Sequence, residues 1–81
     1  MDIDVSRDEK LVARIKARPP QASFRDVERL LEMEGWTKAR QSGSHVSFTK
    51  PGERTIIVPL TGGSKVKRVY LDQICERLGI D

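Results

Sequence analysis

The sequence contains little cysteine, histidine or aromatic side chain. Its 81 residues include one cysteine, Cys75, and one histidine, His45. A single cysteine excludes an internal disulfide, and the lack of cysteine and histidine partners argues against a zinc site, so we expect no metal and no other cofactor. No apolar run approaches the roughly 20 residues that a membrane helix needs. Since no secretory signal is visible either, we predict a cytoplasmic protein without a membrane partner.

The scarcity of large apolar residues also limits the size of the core. At 37% hydrophobic and 5% aromatic residues, the chain predicts one domain with a thin core, for which a stabilising partner is plausible. Positive charge is concentrated in the second half. Residues 1–34 carry seven basic and eight acidic side chains, whereas residues 35–81 carry eight basic and four acidic ones. This distribution favours an anionic partner, with nucleic acid as the leading candidate, although ordinary solvation of a surface is the alternative.

A short helix is predicted near the start of the chain. Ser6 and Glu9 have the spacing of a capping box, and Pro19-Pro20 prevents the helix from continuing. The apolar stripe is narrow. We therefore expect this helix to lean on the domain or on a partner rather than to build the core.

Two further helices are predicted from their ends and from their apolar periodicity. Ser23 is a suitable N-cap for the second helix, and Gly35 a suitable left-handed residue after its end. The last helix is predicted over residues 68–78, with Gly79 after it. Cys75 lies on the apolar face of this helix, where a small core residue is more common than a reactive thiol.

Between these helices the apolar period changes to two. Strands are predicted over residues 36–41, 45–50 and 54–59, with a type II turn at residues 50–53. Short connections favour an antiparallel meander with the strand of His45 in the middle. The chain is thus predicted to be an α+β protein of two layers, in which residues 1–22 form a helical extension and residues 23–81 the main domain.

His45 is the first candidate for chemistry, because histidine transfers protons near neutral pH. Val46 and Phe48 should face the helices, which leaves His45 on the uncovered face with the hydroxyls of Ser47 and Thr49. An idle surface histidine is the alternative. Three neighbouring residues are candidates for contacts to RNA, Ser44 and Ser47 through their hydroxyls and Gly43 through close backbone approach, although Ser-Gly-Ser is also ordinary turn composition.

A group of cations precedes the last helix. Lys65, Lys67 and Arg68 are predicted to crowd its N-terminus, where cations are unfavourable unless an anion such as phosphate compensates them. The alternative is a loop that exposes these side chains to water. Arg40, Lys50 and Arg54 could extend this patch across the sheet edge, although a solvated surface charge is the simpler explanation for each. Of the three, Lys50 is taken as a candidate for RNA binding.

Several of these residues together resemble the HicA-type toxin family of bacterial toxin–antitoxin systems. The resemblance spans roughly Ser23 to Ile80. It rests on Leu30-Leu31 with Gly35-Trp36, Gly43-Ser44-His45 with Phe48, Val58-Pro59, Gly62-Gly63, Leu71-Asp72-Gln73-Ile74 and Leu78-Gly79-Ile80. It implies a fold like the double-stranded-RNA-binding domain, with a helix, three strands and a helix. It also implies cleavage of mRNA with His45 essential, and silencing by a HicB-type antitoxin. From the chemistry together with this resemblance we expect metal-independent transesterification, with His45 as general base.

The chain departs from the family pattern at a position relevant to catalysis. Many members carry a second histidine shortly after the Val-Pro pair, where this chain has Leu60-Thr61. General acid–base catalysis contributes roughly 10²–10⁴-fold, so a missing partner predicts a slow enzyme. A non-catalytic RNA-binding module of the same fold is the alternative function.

Overall fold

The computed structural model describes the backbone of residues 3–80 and the side chains of residues 8–80. In chain order, the elements are α1 (Ile3–Lys16), β1 (Gln21–Ser23), α2 (Phe24–Met33), β2 (Thr37–Ser42), β3 (His45–Thr49), β4 (Ile56–Pro59), β5 (Lys65–Lys67) and α3 (Arg68–Leu78). Strands β2, β3 and β4 form an antiparallel sheet in that order, and β1 pairs with β5 in a separate two-stranded sheet. The α+β class and the central position of the His45 strand are confirmed.

Two tight turns set the register of the three-stranded sheet. Ser42 pairs with His45, which leaves Gly43 and Ser44 as a two-residue loop. Only Gly43 of these two has a positive φ, +60°, as the first position of a type II′ hairpin requires. In the second turn the amide of Glu53 donates to the carbonyl of Lys50 at 3.0 Å, and Gly52 has a φ of +82°. The predicted type II turn is therefore confirmed.

The ends of α2 and α3 follow from local hydrogen bonds. The Ser23 side chain accepts a hydrogen bond from the Asp26 amide at 3.1 Å, which confirms Ser23 as the N-cap of α2. After α2, the amide of Trp36 donates to the carbonyl of Leu31 at 2.9 Å, as in a Schellman motif. The same arrangement ends α3, where the amide of Ile80 donates to the carbonyl of Cys75 at 2.8 Å.

Helices α2 and α3 pack on one face of the three-stranded sheet, and α1 packs against these two helices. Helix α1 contributes Leu11 and Ile15 to the same core as α2, α3 and the sheet. The expectation that this helix leans on the domain or on a partner more than it builds the core is wrong, because Leu11 and Ile15 are 5% and 1% exposed within that core. The buried residues of the core are Leu11, Ile15, Val27, Leu30, Leu31, Trp36, Val46, Phe48, Ile56, Val58, Val66, Leu71, Ile74 and Cys75.

Two other expectations need correction. Helix α1 already begins at Ile3, so Ser6 lies inside the helix and is not its N-cap. Strands β1 and β5 were not expected, because Gln21–Ser23 and Lys65–Lys67 are short, mostly polar and distant in sequence. Their pairing buries Val66 completely and ties the segment before α2 to the segment before α3.

Candidate functional site

His45 lies at the start of β3 on the face of the sheet that no helix covers. Its side chain is exposed, as is that of Thr49, and Ser47 between them is partly buried. Val46 and Phe48 point to the opposite face and are fully buried. The predicted placement of the imidazole beside two hydroxyls on the uncovered face is confirmed.

The neighbouring strands supply the surroundings of His45 on this open face. Ser42 of β2 and Pro59 of β4 lie directly opposite His45 on either side. Ser47 has Arg40 and Ile57 as its partners, and Ile57 is 48% exposed. None of the three strands contains an acidic residue. The open face thus combines hydroxyls, an imidazole and a guanidinium with one exposed apolar side chain. Such a surface suits a polyanion that carries bases or sugars.

The hairpin turn beside His45 leaves room for a ligand. A Cβ placed on Gly43 would meet no atom within 4 Å, so its backbone is open to close approach. The Gln41 side-chain amide donates to the Gly43 carbonyl at 3.2 Å, and the Leu60 amide donates to the Ser44 carbonyl at 2.7 Å. The second of these bonds holds the turn against the segment that follows β4.

That segment connects the turn to the cations of β5. Thr61 exchanges backbone hydrogen bonds with Lys65, at 2.7 Å to its carbonyl and 3.0 Å from its amide. Leu60, which contacts Ser44, is the residue immediately before Thr61. Lys65 and Lys67 are both exposed. The structure therefore brings Lys65 to the end of the domain where the hairpin turn and His45 lie.

The cations before α3 lie at or next to its N-terminus, as expected, but two of them belong to a strand. Lys65 and Lys67 belong to β5 rather than to a loop, and only Arg68 lies within the helix. Lys67 is the N-cap residue, although its side chain makes no capping hydrogen bond, and the first turn holds no acidic residue. The Nε of Arg68 donates to the Arg18 carbonyl at 2.8 Å, so part of this guanidinium holds the end of α1.

The structure places Lys50 apart from His45. It follows the far end of β3, about 16 Å away along an extended strand. Its Nζ donates to the Glu34 carbonyl at 2.8 Å, at the C-terminal end of α2. A cation suits this position because the last carbonyls of a helix carry negative partial charge. The contact gives Lys50 a role in the fold.

Metal binding and thiol chemistry find no support in the geometry. Within the described part of the chain, no three side chains of the histidine, cysteine, aspartate and glutamate types cluster as a metal site would require. Cys75 is buried in the core as predicted, and burial raises the pKa of its thiol. Across residues 3–80, no helix has the length and apolar character needed to cross a bilayer.

Comparison with known proteins gives one match. The family model described as the HicA toxin of bacterial toxin–antitoxin systems matches residues 24–80. The match begins with the first residue of α2 and includes the three-stranded sheet, β5 and α3. It leaves out α1 and β1. Neither the curated proteins nor the solved structures give a significant match.

Proposed function

The chain belongs to the HicA toxin family of bacterial toxin–antitoxin systems, and on this basis we propose that it is a metal-independent endoribonuclease that cleaves mRNA, with His45 as its general acid–base. The exposure of the imidazole on an open sheet face without acidic residues is the observation that carries the proposal. A phosphate approaching this face meets no carboxylate from the three strands. A histidine without a function would not require a face free of carboxylates, so these surroundings favour a role for His45.

The proposed reaction is a transesterification within the RNA. His45 takes the proton of a ribose 2′-hydroxyl, and the oxygen attacks the adjacent phosphorus. The bond from phosphorus to the 5′-oxygen breaks, and the leaving oxygen takes a proton from the imidazolium or from water. The products are a 2′,3′-cyclic phosphate and a 5′-hydroxyl, with no net change in protons. Because no second histidine is present to protonate the leaving oxygen, we expect the enzyme to be slow.

The RNA is held by groups around the turn and along β5. Lys65 and Lys67 attract the phosphate backbone, and their position beyond the turn extends the binding surface away from His45. Ser44 and Ser47 donate to phosphate or sugar oxygens, and Gly43 allows close approach. Arg68 and Lys50 complete the proposed binding residues, with less weight because each already makes a contact within the fold.

Silencing is proposed to come from a HicB-type antitoxin in the cytoplasm. A partner that covers His45 and presents carboxylates to Arg40 and Lys65 would exclude RNA by occupying the same surface. The open face has exposed Ile57 beside its charges, which gives such a partner an apolar contact as well.

Cleavage by purified protein tests the proposal. The wild type, His45→Ala and Thr49→Ala are incubated with a long transcript in the presence of a metal chelator. Thr49 is the matched control because it is exposed on the same face and strand. We expect cleavage by the wild type and Thr49→Ala, and none by His45→Ala with RNA affinity retained. Binding without cleavage by all three would instead favour the non-catalytic RNA-binding module.

A further inference from the structure

We propose that Arg40 contacts the reacting phosphate beside His45 and stabilises the negative charge that develops on its oxygens. This inference rests on the proposed function and adds a second catalytic residue to it. The sequence alone favoured a solvated surface charge at Arg40. The structure places Arg40 on the open face of the sheet. Its cross-strand pair with Ser47 is the next pair on this face after that of Ser42 with His45.

The register of the hairpin brings the two side chains together. His45 lies opposite Ser42, and Arg40 lies opposite Ser47. Arg40 is therefore the diagonal neighbour of His45 across β2 and β3. Such neighbours are separated by roughly 7–8 Å between α-carbons, which long side chains bridge easily. A phosphate bound between them touches both the imidazole and the guanidinium.

The hairpin turn sets this placement, and an irregularity in β2 lies beyond it. Ser42, Gln41 and Arg40 pair in regular register with His45, Val46 and Ser47. Lys38 then pairs with Phe48, so Ala39 is an extra residue in the strand. This bulge turns Lys38 to the helix side, where its Nζ is 3.8 Å from a Glu28 carboxylate oxygen. Of the two cations of β2, only Arg40 therefore lies on the open face.

The guanidinium of Arg40 is available for an anion. It is exposed, and it makes no hydrogen bond or ion pair with any residue in the range 8–80. Most other arginines of this range already donate a hydrogen bond to a carboxylate or a carbonyl. These are Arg14, Arg18, Arg29, Arg68 and Arg77. A guanidinium offers a planar pair of donors that matches two phosphate oxygens.

The chemistry of the proposed reaction gives Arg40 a specific role. When the 2′-oxygen attacks phosphorus, the non-bridging oxygens gain negative charge, and a cation placed there stabilises the transition state more than the bound substrate. Arginine keeps its proton in proteins, so Arg40 does not protonate the leaving oxygen. That transfer stays with His45 or water.

The test separates catalysis from binding. Single-turnover cleavage rates at saturating protein are measured for the wild type, Arg40→Gln, Arg40→Lys, Lys38→Gln and His45→Ala. Affinity is measured with an RNA blocked by 2′-O-methyl groups, and folding by thermal unfolding. Lys38→Gln is the matched control, since it removes the same charge from the same strand on the other face.

We expect Arg40→Gln to lower the cleavage rate about 10–100-fold relative to Lys38→Gln. This loss is smaller than the loss on removing a donor from an enclosed oxyanion hole, because the site of Arg40 is open to water. Its affinity for blocked RNA should change no more than that of Lys38→Gln, and Arg40→Lys should fall between. Equal rates for Arg40→Gln and Lys38→Gln, with His45→Ala inactive, would overturn this inference alone. A wild type that does not cleave, or that cleaves no faster than His45→Ala, would overturn the proposed function and this inference together.

Discussion

The Nε of Arg18 lies 2.9 Å from Oδ1 of Asp72, and this contact joins the end of α1 to α3. Arg18 also has a left-handed backbone, with a φ of +54°, and its carbonyl accepts the Nε of Arg68. A conformation that is costly for a residue with a side chain is thus held by contacts on both sides. The helix that precedes the family match is consequently an integral part of this fold.

Truncation of Ile15 tests that conclusion. Ile15→Ala removes a side chain that is 1% exposed, and we expect the free energy of unfolding to fall by about 2–5 kcal/mol. Chemical denaturation measures the loss. Lys10→Ala, on the exposed side of the same helix, is the control and should change stability little. An Ile15→Ala protein as stable as the control would mean that α1 does not pack on the core.

Lys50 and Lys65 should respond in opposite ways to the same substitution. Lys50→Met loses the hydrogen bond to the Glu34 carbonyl, so we expect about 1 kcal/mol less stability and a smaller loss of RNA affinity than Lys65→Met shows. Lys65→Met should weaken RNA binding and leave stability unchanged, because Lys65 is exposed on β5. Thermal unfolding and RNA titration of both proteins check this. The reverse pattern would assign the RNA contact to the far end of β3.

The salt dependence of RNA affinity counts the phosphate contacts of β5. On a single strand, each phosphate contact contributes about 0.7 to the slope of log affinity against log salt concentration. If Lys65 and Lys67 each neutralise one phosphate, their double change to glutamine should therefore make this slope shallower by about 1.4. The control is the double change of Lys10 and Lys16 to glutamine, two exposed lysines of α1. An unaltered slope in the β5 variant would remove these lysines from the binding surface.

Much of the fold could be predicted because its signals are local. The hydroxyl of Ser23 and the glycine at position 35 mark the two ends of α2, and the Pro-Gly pair fixes one turn of the meander. The open position of His45 followed from the alternation of Val46 and Phe48 alone. Each of these features depends on residues within a few positions of one another.

The features that sequence reasoning missed depend on distant partners. Gln21–Ser23 and Lys65–Lys67 become strands only because each meets the other. The bulge at Ala39 turns Lys38 to the helix side, and strict alternation along β2 gives no sign of it. The contribution of α1 to the core was underestimated because two buried residues, Leu11 and Ile15, make a weak apolar stripe.

The chemical nature of the ends left after cleavage tests the central claim most directly. Purified wild-type protein is given RNA with a chelator present, and the termini of the fragments are determined by mass spectrometry. Activation of the 2′-hydroxyl by His45 predicts a 2′,3′-cyclic phosphate on one fragment and a 5′-hydroxyl on the other, with neither formed by His45→Ala. Fragments that carry a 3′-hydroxyl and a 5′-phosphate would contradict the account, because their formation does not involve attack by the ribose.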